Sequence, residues 1–318
     1  MCCADSLCLF SHLCYCTAER WILGMDLGFV QNSPIFGRVK ANLDHVSDLL
    51  MKAEADLFVL PELFATGYQF SSRKEVERLA ESVPDGPTTK RLIALAHQRR
   101  CVIVAGLAER KGRCFYNSAV VVGAKGLIGL YRKSHLFYEE TLWFTPGNTG
   151  FRVWNAAGIT LGVMVCFDWF FPESMRCMAL AGADVVCHPA NLVLPHAPSA
   201  MITRCLENRV FAVTADRVGS EERADKERLT FIGTSQIVSP QGEVLARAGT
   251  DREEVRVVTI DPKDARRKTI NRYNHLLGDR RVDLYDALTQ PPVESTRPRH
   301  PRASKRTHPL SGTPARSG

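Results

Sequence analysis

From residue 25 onward, short apolar runs alternate with segments whose apolar residues recur at helical spacing. In the segment 39–53, Val39, Leu43, Val46 and Leu50 fall on one face of a helix. The run 159–165 is apolar on both faces of a strand, so protein must cover it on both sides. The alternation predicts an α/β layered domain, in which two sheets lie between outer helices.

The same pattern places the individual elements. Predicted helices lie at 39–53, 88–99, 172–183 and 199–210. Predicted strands lie at 26–31, 56–60, 101–107, 118–122, 127–132, 151–154, 159–165, 185–188, 211–214, 234–238, 244–247 and 255–260.

Composition changes sharply at both ends of this pattern. After Leu288 the chain becomes rich in Pro, Arg, Ser and Thr, which cannot bury apolar surface. We therefore predict one domain at 25–290, a basic disordered tail at 291–318, and an N-terminal extension at 1–24 that is disordered or reflects an upstream start. The formal charge of +7 divides into +5 in the tail and +2 elsewhere. A nearly neutral globular part argues against nucleic-acid binding, and polyanion binding by the tail is a weaker hypothesis.

Cysteine usage and hydropathy bear on location. Five of the eleven cysteines lie in the first sixteen residues and the other six are scattered singly, which is typical of a reducing compartment rather than of a disulfide framework. The sequence contains no run of 18 apolar residues and no signal peptide, so we expect a cytoplasmic protein without membrane contact.

Three reactive side chains follow predicted strands. Glu62 comes after Leu-Phe-Val-Leu-Pro, Lys133 after Ile-Gly-Leu-Tyr-Arg, and Cys166 after Leu-Gly-Val-Met-Val. Taken singly, each has an ordinary explanation as a solvated carboxylate, a surface lysine or a buried thiol. Together, at the carboxyl ends of strands, they provide what acyl transfer requires.

Each of the three has a separate task in that chemistry. A thiol with a pKa of about 8.5 is only slightly ionised at neutral pH, so Cys166 needs a base, and Glu62 can serve. Lys133 can stabilise the negative charge that develops on the attacked oxygen, with the backbone N–H of Phe167 as a second donor. The sequence predicts no metal or organic cofactor, because no H-x-x-x-H or H-E-x-x-H spacing occurs.

A Cys–His pair is the main competing arrangement. His135 lies two residues after Lys133, His188 ends a predicted strand near Asn191, and His196 lies in the following loop. The sequence leaves a histidine base open as an alternative.

The chain resembles the nitrilase superfamily of carbon–nitrogen hydrolases in three blocks. Leu-Pro-Glu-Leu-Phe-Ala-Thr-Gly-Tyr (60–68) is similar to the first catalytic block, Tyr-Arg-Lys-Ser-His-Leu (131–136) to the second, and Val-Cys-Phe-Asp-Trp-Phe-Phe-Pro-Glu (165–173) to the third. Similar order and spacing extend to Leu-Leu-Gly-Asp-Arg-Arg (276–281).

This resemblance implies roles for individual residues. It makes Cys166 the nucleophile, Glu62 the general base and Lys133 the oxyanion-stabilising cation. It also implies a fourth member, Glu140, which orients Lys133 and the substrate. The implied fold is an α-β-β-α sandwich of two mixed sheets. The implied assembly is a homodimer, or larger stack, formed in part by the helices at 172–183 and 199–210.

Substrate choice is less defined. Superfamily members that hydrolyse N-carbamoyl-D-amino acids carry two arginines where this chain has Trp169 and Phe170, so we expect neutral or cationic amides or ureides. Asn191 suits a polar contact to the substrate. The leading hypothesis is an amidase that releases ammonia from a small linear amide. An N-carbamoyl amine hydrolase, a nitrilase and a catalytically silent scaffold that binds a partner are the alternatives.

Overall fold

The computed structural model describes residues 24–223 and 226–291. The described chain divides into a large unit that ends at Leu277 and a short unit that begins at Gly278. The short unit contains 3-10 helices at Val282–Leu284 and Asp286–Thr289. Predictions for the N-terminal extension up to residue 23, and for the basic tail from residue 292, lie outside the described residues.

Strands and helices alternate along the large unit. The strands are β1 (Met25–Gln31), β2 (Leu57–Val59), β3 (Val102–Lys111), β4 (Cys114–Gly123), β5 (Gly126–Arg132), β6 (Val153–Ala156), β7 (Ile159–Val163), β8 (Val185–Pro189), β9 (Phe211–Ala215), β10 (Ser220–Glu221), β11 (Leu229–Thr230), β12 (Gln236–Val238), β13 (Val244–Arg247), β14 (Glu254–Ile260), β15 (Thr269–Asn271) and β16 (Asn274–His275). The helices are α1 (Val39–Leu50), α2 (Arg73–Leu79), α3 (Pro87–Arg99), α4 (Glu140–Trp143), α5 (Pro172–Leu180), α6 (Ala197–Asn208) and α7 (Lys263–Arg266), with a 3-10 helix at Cys166–Phe170.

Two six-stranded mixed sheets form the centre of the fold. The first has the strand order β14-β1-β2-β3-β4-β5, in which β1, β2 and β3 run parallel. The second has the order β13-β12-β9-β8-β7-β6, in which β7, β8 and β9 run parallel. Each sheet therefore has a parallel centre, and the carboxyl ends of parallel strands are where active residues gather in open α/β sheets.

The layers follow from the apolar faces of the elements. The two sheets pack against each other through β1, β2 and β3 on one side and β8, β9 and β12 on the other. Helices α1 and α3 cover the first sheet through a core that includes Leu43, Val46 and Leu92, and α6 contacts β9 and β12 of the second. Proline lies in the first turn of α3, α5 and α6, where its missing N–H has no helical partner to lose. The predicted α-β-β-α sandwich is thus confirmed.

The structure corrects several predicted bounds. Strand β7 ends at Val163 rather than Val165, because the chain must leave the ladder before Cys166 can adopt a left-handed φ of +42°. Strand β6 begins at Val153 rather than Phe151. Helix α6 ends at Asn208, since Arg209 has φ of +50°. Helix α2 was not predicted from the sequence; Ser72 caps it by accepting a hydrogen bond from the backbone N–H of Glu75.

Within the described residues, no helix is long and apolar enough to cross a membrane. The predicted homodimer remains a prediction.

Candidate active site

Glu62 lies in a tight turn just beyond β2. Leu63, the next residue, has φ of +50°, and the turn packs directly on Gly106 of β3. A Cβ atom on Gly106 would lie 2.5 Å from the Cα of Glu62, so only glycine permits this approach. The N–H of Gly106 donates to the carbonyl of Pro61 at 3.2 Å, which fixes the turn on the sheet.

Lys133 follows β5 and is held from two sides. Its N–H donates to the carbonyl of Asn117 at 2.8 Å, and its carbonyl accepts from the N–H of Gly147 at 2.8 Å. A Cβ atom on Gly147 would lie 2.0 Å from the carbonyl oxygen of Arg132. The Pro-Gly turn at 146–147 can therefore close on the end of β5 only because it carries glycine.

Cys166 begins the 3-10 helix after β7, with a backbone conformation that L-residues rarely adopt. The buried carboxylate of Asp168 braces this turn. It accepts the N–H of Val165 at 3.0 Å, the hydroxyl of Tyr131 at 2.7 Å and the N–H of His135 at 3.0 Å. Four backbone or side-chain donors, including the ring of His135, converge on it and join the Cys166 turn to the end of β5.

A buried charge network connects the strand ends. Lys133 Nζ lies 2.7 Å from Glu62 Oε1 and 2.7 Å from Glu140 Oε1. Asn117 Nδ2 also donates to Glu62 Oε1, at 2.7 Å, and the hydroxyl of Tyr68 donates to Glu140 Oε1 at 2.7 Å. One ammonium thus lies between two carboxylates, each of which has a further neutral donor.

The network leaves one strong acceptor without a partner. Glu62 Oε2 is buried and accepts no hydrogen bond from the described residues. Burial raises the pKa of Glu62 from its ordinary 4.5 to about 7, against the opposing effect of the Lys133 charge. Burial acts to lower the pKa of Lys133, but the carboxylates of Glu140 and Glu62 outweigh it and raise that pKa. The site therefore combines a permanent cation with a carboxyl group that titrates near neutral pH.

The thiol of Cys166 lies against the same network. Its Sγ is 3.6 Å from the carbonyl oxygen of Asn191, and the Asn191 amide donates to the carbonyl oxygen of Glu62 at 2.9 Å. Burial raises the pKa of Cys166 well above its ordinary value, and the Glu62 charge raises it further. The free thiol is therefore neutral at physiological pH, so it needs a base when it reacts.

A small pocket opens beside Cys166. Its wall includes the predicted substrate-contacting residues Phe167, Trp169 and Asn191. Trp169 is buried, whereas Phe170 is 52% exposed and lies outside this wall. The structure therefore places one of the two aromatic residues noted in the sequence at the pocket and the other at the surface.

The three histidines considered as alternative bases have other contacts. His188 is fully buried, its ring nitrogens lie 2.9 Å from the carbonyl oxygen of Cys166 and 3.1 Å from the Thr214 hydroxyl, and burial lowers its pKa to about 4. The His135 ring pairs with Asp168 at 2.8 Å and stacks on Phe171. His196 is exposed at the start of α6. His188 supports the backbone of Cys166 and not its thiol.

Several members of the site were not predicted from the sequence. Tyr68 is the last residue of the first motif block, yet only the structure shows that its hydroxyl donates a hydrogen bond to Glu140. Asn117 is a buried amide within strand β4, and asparagine is depleted in strands, which is a detectable signal. Asp216 follows β9 and accepts the N–H of Leu192 at 2.8 Å beside the Asn191 turn.

In residues 24–223 and 226–291, no group of three or more His, Cys, Asp or Glu side chains is arranged to hold a metal ion.

Comparison with known proteins assigns this geometry to a class. Residues 27–269 match the family model for carbon-nitrogen hydrolases. A nitrilase of Pyrococcus abyssi is 51% identical over 264 residues, which cover 82% of this chain and 99% of that protein. An N-carbamoylputrescine amidase of Solanum lycopersicum is 34% identical over 258 residues, covering 74% of this chain and 84% of that protein.

A solved structure is similar as well. It is an amidase mutant from Nesterenkonia sp. AN1, in which the acetamide moiety of fluoroacetamide is covalently added at the active-site cysteine. It has 26% sequence identity and a TM-score of 0.68, and the match covers 82% of this chain and 95% of that one. The chain belongs to the carbon–nitrogen hydrolase family of the nitrilase superfamily. It is a hydrolase that acts on carbon–nitrogen bonds, which leaves the scaffold hypothesis without support.

Proposed function

We propose that the protein hydrolyses a small linear amide to a carboxylic acid and ammonia, with Cys166 as the nucleophile. The observation that carries the proposal is Glu62 Oε2, a buried acceptor without a partner on a carboxyl group whose pKa is about 7. A general base works best when its pKa lies near the working pH. The neutral thiol of Cys166 supplies the proton that this base accepts.

The first half of the reaction forms a thioester. The sulfur of Cys166 bonds to the amide carbon while its proton passes to Glu62 Oε2, and the carbonyl electron pair moves onto oxygen. Lys133 has three N–H donors, of which two are used by Glu62 and Glu140, and we assign the third to this oxyanion. Collapse of the intermediate breaks the carbon–nitrogen bond, and Glu62 returns its proton to the departing ammonia.

The second half regenerates the enzyme. Water attacks the thioester carbon and gives a proton to Glu62, and the sulfur leaves as the acid forms. The sulfur then recovers a proton from Glu62. In this scheme Glu140 holds Lys133 in place, and the Phe167 N–H acts as the second oxyanion donor. Neither half requires a metal or an organic cofactor.

An unpartnered acceptor favours an amide over a nitrile. Asn191 Oδ1 is buried without a hydrogen-bond partner among the described residues, while its Nδ2 is fixed on Glu62. An amide or carbamoyl nitrogen carries N–H donors that can satisfy this oxygen, whereas a nitrile nitrogen carries none. The nitrilase and N-carbamoylputrescine amidase relatives make nitriles and N-carbamoyl amines the alternatives to test.

The test is an ammonia-release assay of Cys166→Ala over aliphatic amides, N-carbamoyl amines, N-carbamoyl amino acids and nitriles. We expect turnover of amides by the parent and a loss of at least about 10³-fold in Cys166→Ala. The matched control is Cys205→Ala, which removes another fully buried thiol on α6 and should retain kcat. Parental ammonia release by Cys166→Ala would overturn the proposal.

A further inference from the structure

The wall of the Cys166 pocket is apolar almost throughout. Its apolar members are Phe137, Phe167, Trp169, Leu192, Val193 and Leu194. The remaining members are Cys166 and Asn191, so none of the described residues that line the pocket carries a charge. From this we infer that the enzyme selects amides whose acyl chain is apolar and uncharged. The inference rests on the proposed function, because it assigns this pocket to the group attached to the reacting carbonyl carbon.

The charges of the site are not available to a charged acyl chain. Lys133 lies between Glu62 and Glu140, and both carboxylates direct an oxygen at it. Glu140 Oε2 also accepts the N–H of Phe137 at 3.3 Å. A carboxylate or ammonium carried into the apolar pocket would lose its hydration without gaining a partner, which is strongly unfavourable. The pocket therefore excludes both signs of charge.

The polar end of the pocket matches a primary amide. Asn191 is 2% exposed, and its Oδ1 has no hydrogen-bond partner among the described residues although its Nδ2 is fixed. The backbone carbonyl oxygen of Asn191 lies 3.6 Å from the Cys166 thiol, so we expect the side-chain oxygen of the same residue to accept an N–H of the substrate. One polar acceptor beside the nucleophile and apolar walls beyond it fit a molecule with an amide head and a hydrocarbon chain.

The apolar walls also bear on the length of that chain, because each methylene that they cover is removed from water. Each added methylene that stays between the walls should raise kcat/KM about fourfold through the extra apolar surface that it buries.

A second cavity lies against Glu140 and has a different lining. Its walls include Tyr68, Gln69, Glu139 and Trp143. The side-chain oxygen Oε1 of Gln69 is buried and has no hydrogen-bond partner among the described residues. Lys226 pairs with Glu139 at its edge. Its lining differs entirely from that of the Cys166 pocket, so a preference for charged chains would point to this cavity instead.

The test compares amides of equal shape at pH 7.5. The carboxylate of succinamate is matched by the isopropyl group of 4-methylpentanamide, and the ammonium of 4-aminobutanamide by the methyl group of pentanamide. We expect kcat/KM for each neutral amide to exceed that of its charged counterpart by at least about 100-fold. Charged amides that react within threefold of their counterparts, or faster, would overturn the inference.

A binding measurement separates this inference from the proposed function. The measurement is the alkylation of Cys166 by iodoacetamide, read by peptide mass spectrometry, and we expect an amide that occupies the pocket to protect the thiol whether or not it is hydrolysed. If no amide is hydrolysed, the proposed function fails. The inference would still be supported if neutral amides protect Cys166 at concentrations at least about 100-fold lower than the charged amides require. Protection by both kinds of amide at the same concentration would overturn it.

A charge placed in the wall gives an independent test. Leu194 lines the pocket and is 37% exposed, so Leu194→Lys can be accommodated at the pocket mouth. We expect it to raise the kcat/KM ratio of succinamate to 4-methylpentanamide by at least about tenfold. The control Leu127→Lys changes a residue of matched exposure, 36%, on β5 away from this pocket and should leave the ratio unchanged. An unchanged ratio in Leu194→Lys would count against the pocket as the acyl site.

Discussion

Two buried ion clusters lie next to each other at the end of β5, and they differ in how completely their charges are satisfied. In the first, Arg132 and Glu109 form a pair in which Nη2 lies 2.5 Å from Oε1 and Nε lies 2.8 Å from Oε2. Ser118 adds a third hydrogen bond to Glu109, at 2.7 Å. One cation meets one carboxylate, and both oxygens are occupied.

The second cluster has the same kinds of groups but a different balance. Lys133, the next residue, meets two carboxylates, and Glu62 Oε2 is left without a partner among the described residues. A paired and saturated cluster holds strands together, whereas an unsaturated cluster with excess acid contains a group that can exchange a proton. Two adjacent clusters of buried charge can therefore have separate roles, one in holding strands together and one in exchanging a proton.

Removing the cation of each cluster should give the largest contrast. Lys133→Met deletes the charge that we assign to the oxyanion, and we expect kcat/KM for a neutral amide to fall by at least about 10³-fold. Arg132→Met leaves Glu109 buried and unpaired, at a cost of about 3–5 kcal/mol in the free energy of unfolding. Activity per folded molecule should stay within about tenfold of the parent. Ammonia release and urea denaturation measure the two effects, and equal inactivation of both folded variants would contradict the contrast.

Replacing the carboxylate of each cluster by its amide should change stability in different ways. Burial raises the pKa of Glu62 from 4.5 to about 7, so its contribution to stability is present below pH 4.5 and is lost as the pH rises through 7. At about 1.4 kcal/mol per pH unit, the loss is on the order of 3 kcal/mol. Glu62→Gln should remove this loss at pH 8 and lower kcat about 10²- to 10⁴-fold.

The matched change Glu109→Gln leaves Arg132 incompletely paired. We expect it to lower the free energy of unfolding at pH 5 and at pH 8, with little effect on kcat. Urea denaturation of both variants at the two pH values measures this. Stability losses of equal size at pH 8 in Glu62→Gln and Glu109→Gln would show that Glu62 is a structural ion-pair residue.

The unsaturated cluster should also set the pH dependence of activity. Glu62 accepts a proton only as a carboxylate, and kcat/KM reports ionisations of the free enzyme. Below its pKa of about 7, kcat/KM should therefore fall about tenfold per pH unit. The raised pKa of Lys133 keeps the ammonium charged, so its titration should cause no loss up to pH 9. A profile that is flat from pH 5 to 8 would contradict the role of Glu62 as the base.

Removing a single tyrosine hydroxyl next to each cluster should give the smallest contrast. Tyr68→Phe deletes the hydrogen bond to Glu140 Oε1, so Lys133 is positioned less firmly and kcat should fall about tenfold. Tyr116→Phe keeps the ring that stacks on the Arg132 guanidinium at 4.1 Å and should retain parental kcat. Steady-state kinetics of the two folded variants decides this, and a larger loss in Tyr116→Phe would contradict it.

The sequence predicted what depends on local pattern. The apolar runs located the sheet strands, and their ends located Glu62, Lys133 and Cys166, because parallel strands bring distant residues to one edge. The packing of the Pro-Gly turn at 146–147 against Arg132, at a position that only glycine permits, was not predicted.

What the sequence could not show depends on tertiary contacts. The positive φ of Cys166 arises where the chain leaves β7, so the predicted strand extends two residues beyond the observed one. The saturation of Glu109 and the free oxygen of Glu62 follow from side chains on different strands. Tyr68 and Asn117 were missed because a hydrogen bond over 55 or 72 residues of chain leaves no periodic trace.

The most direct test of the account is a covalent intermediate on Cys166. The parent enzyme would be mixed rapidly with pentanamide, quenched in acid, digested and analysed by peptide mass spectrometry. The account predicts one pentanoyl group per chain, on the peptide that contains Cys166, removed by hydroxylamine and not formed in Cys166→Ala. Two results would contradict this mechanism. One is an acyl group on any other residue. The other is quenched enzyme without an acyl group in an experiment where hydroxylamine also fails to divert product to the hydroxamate.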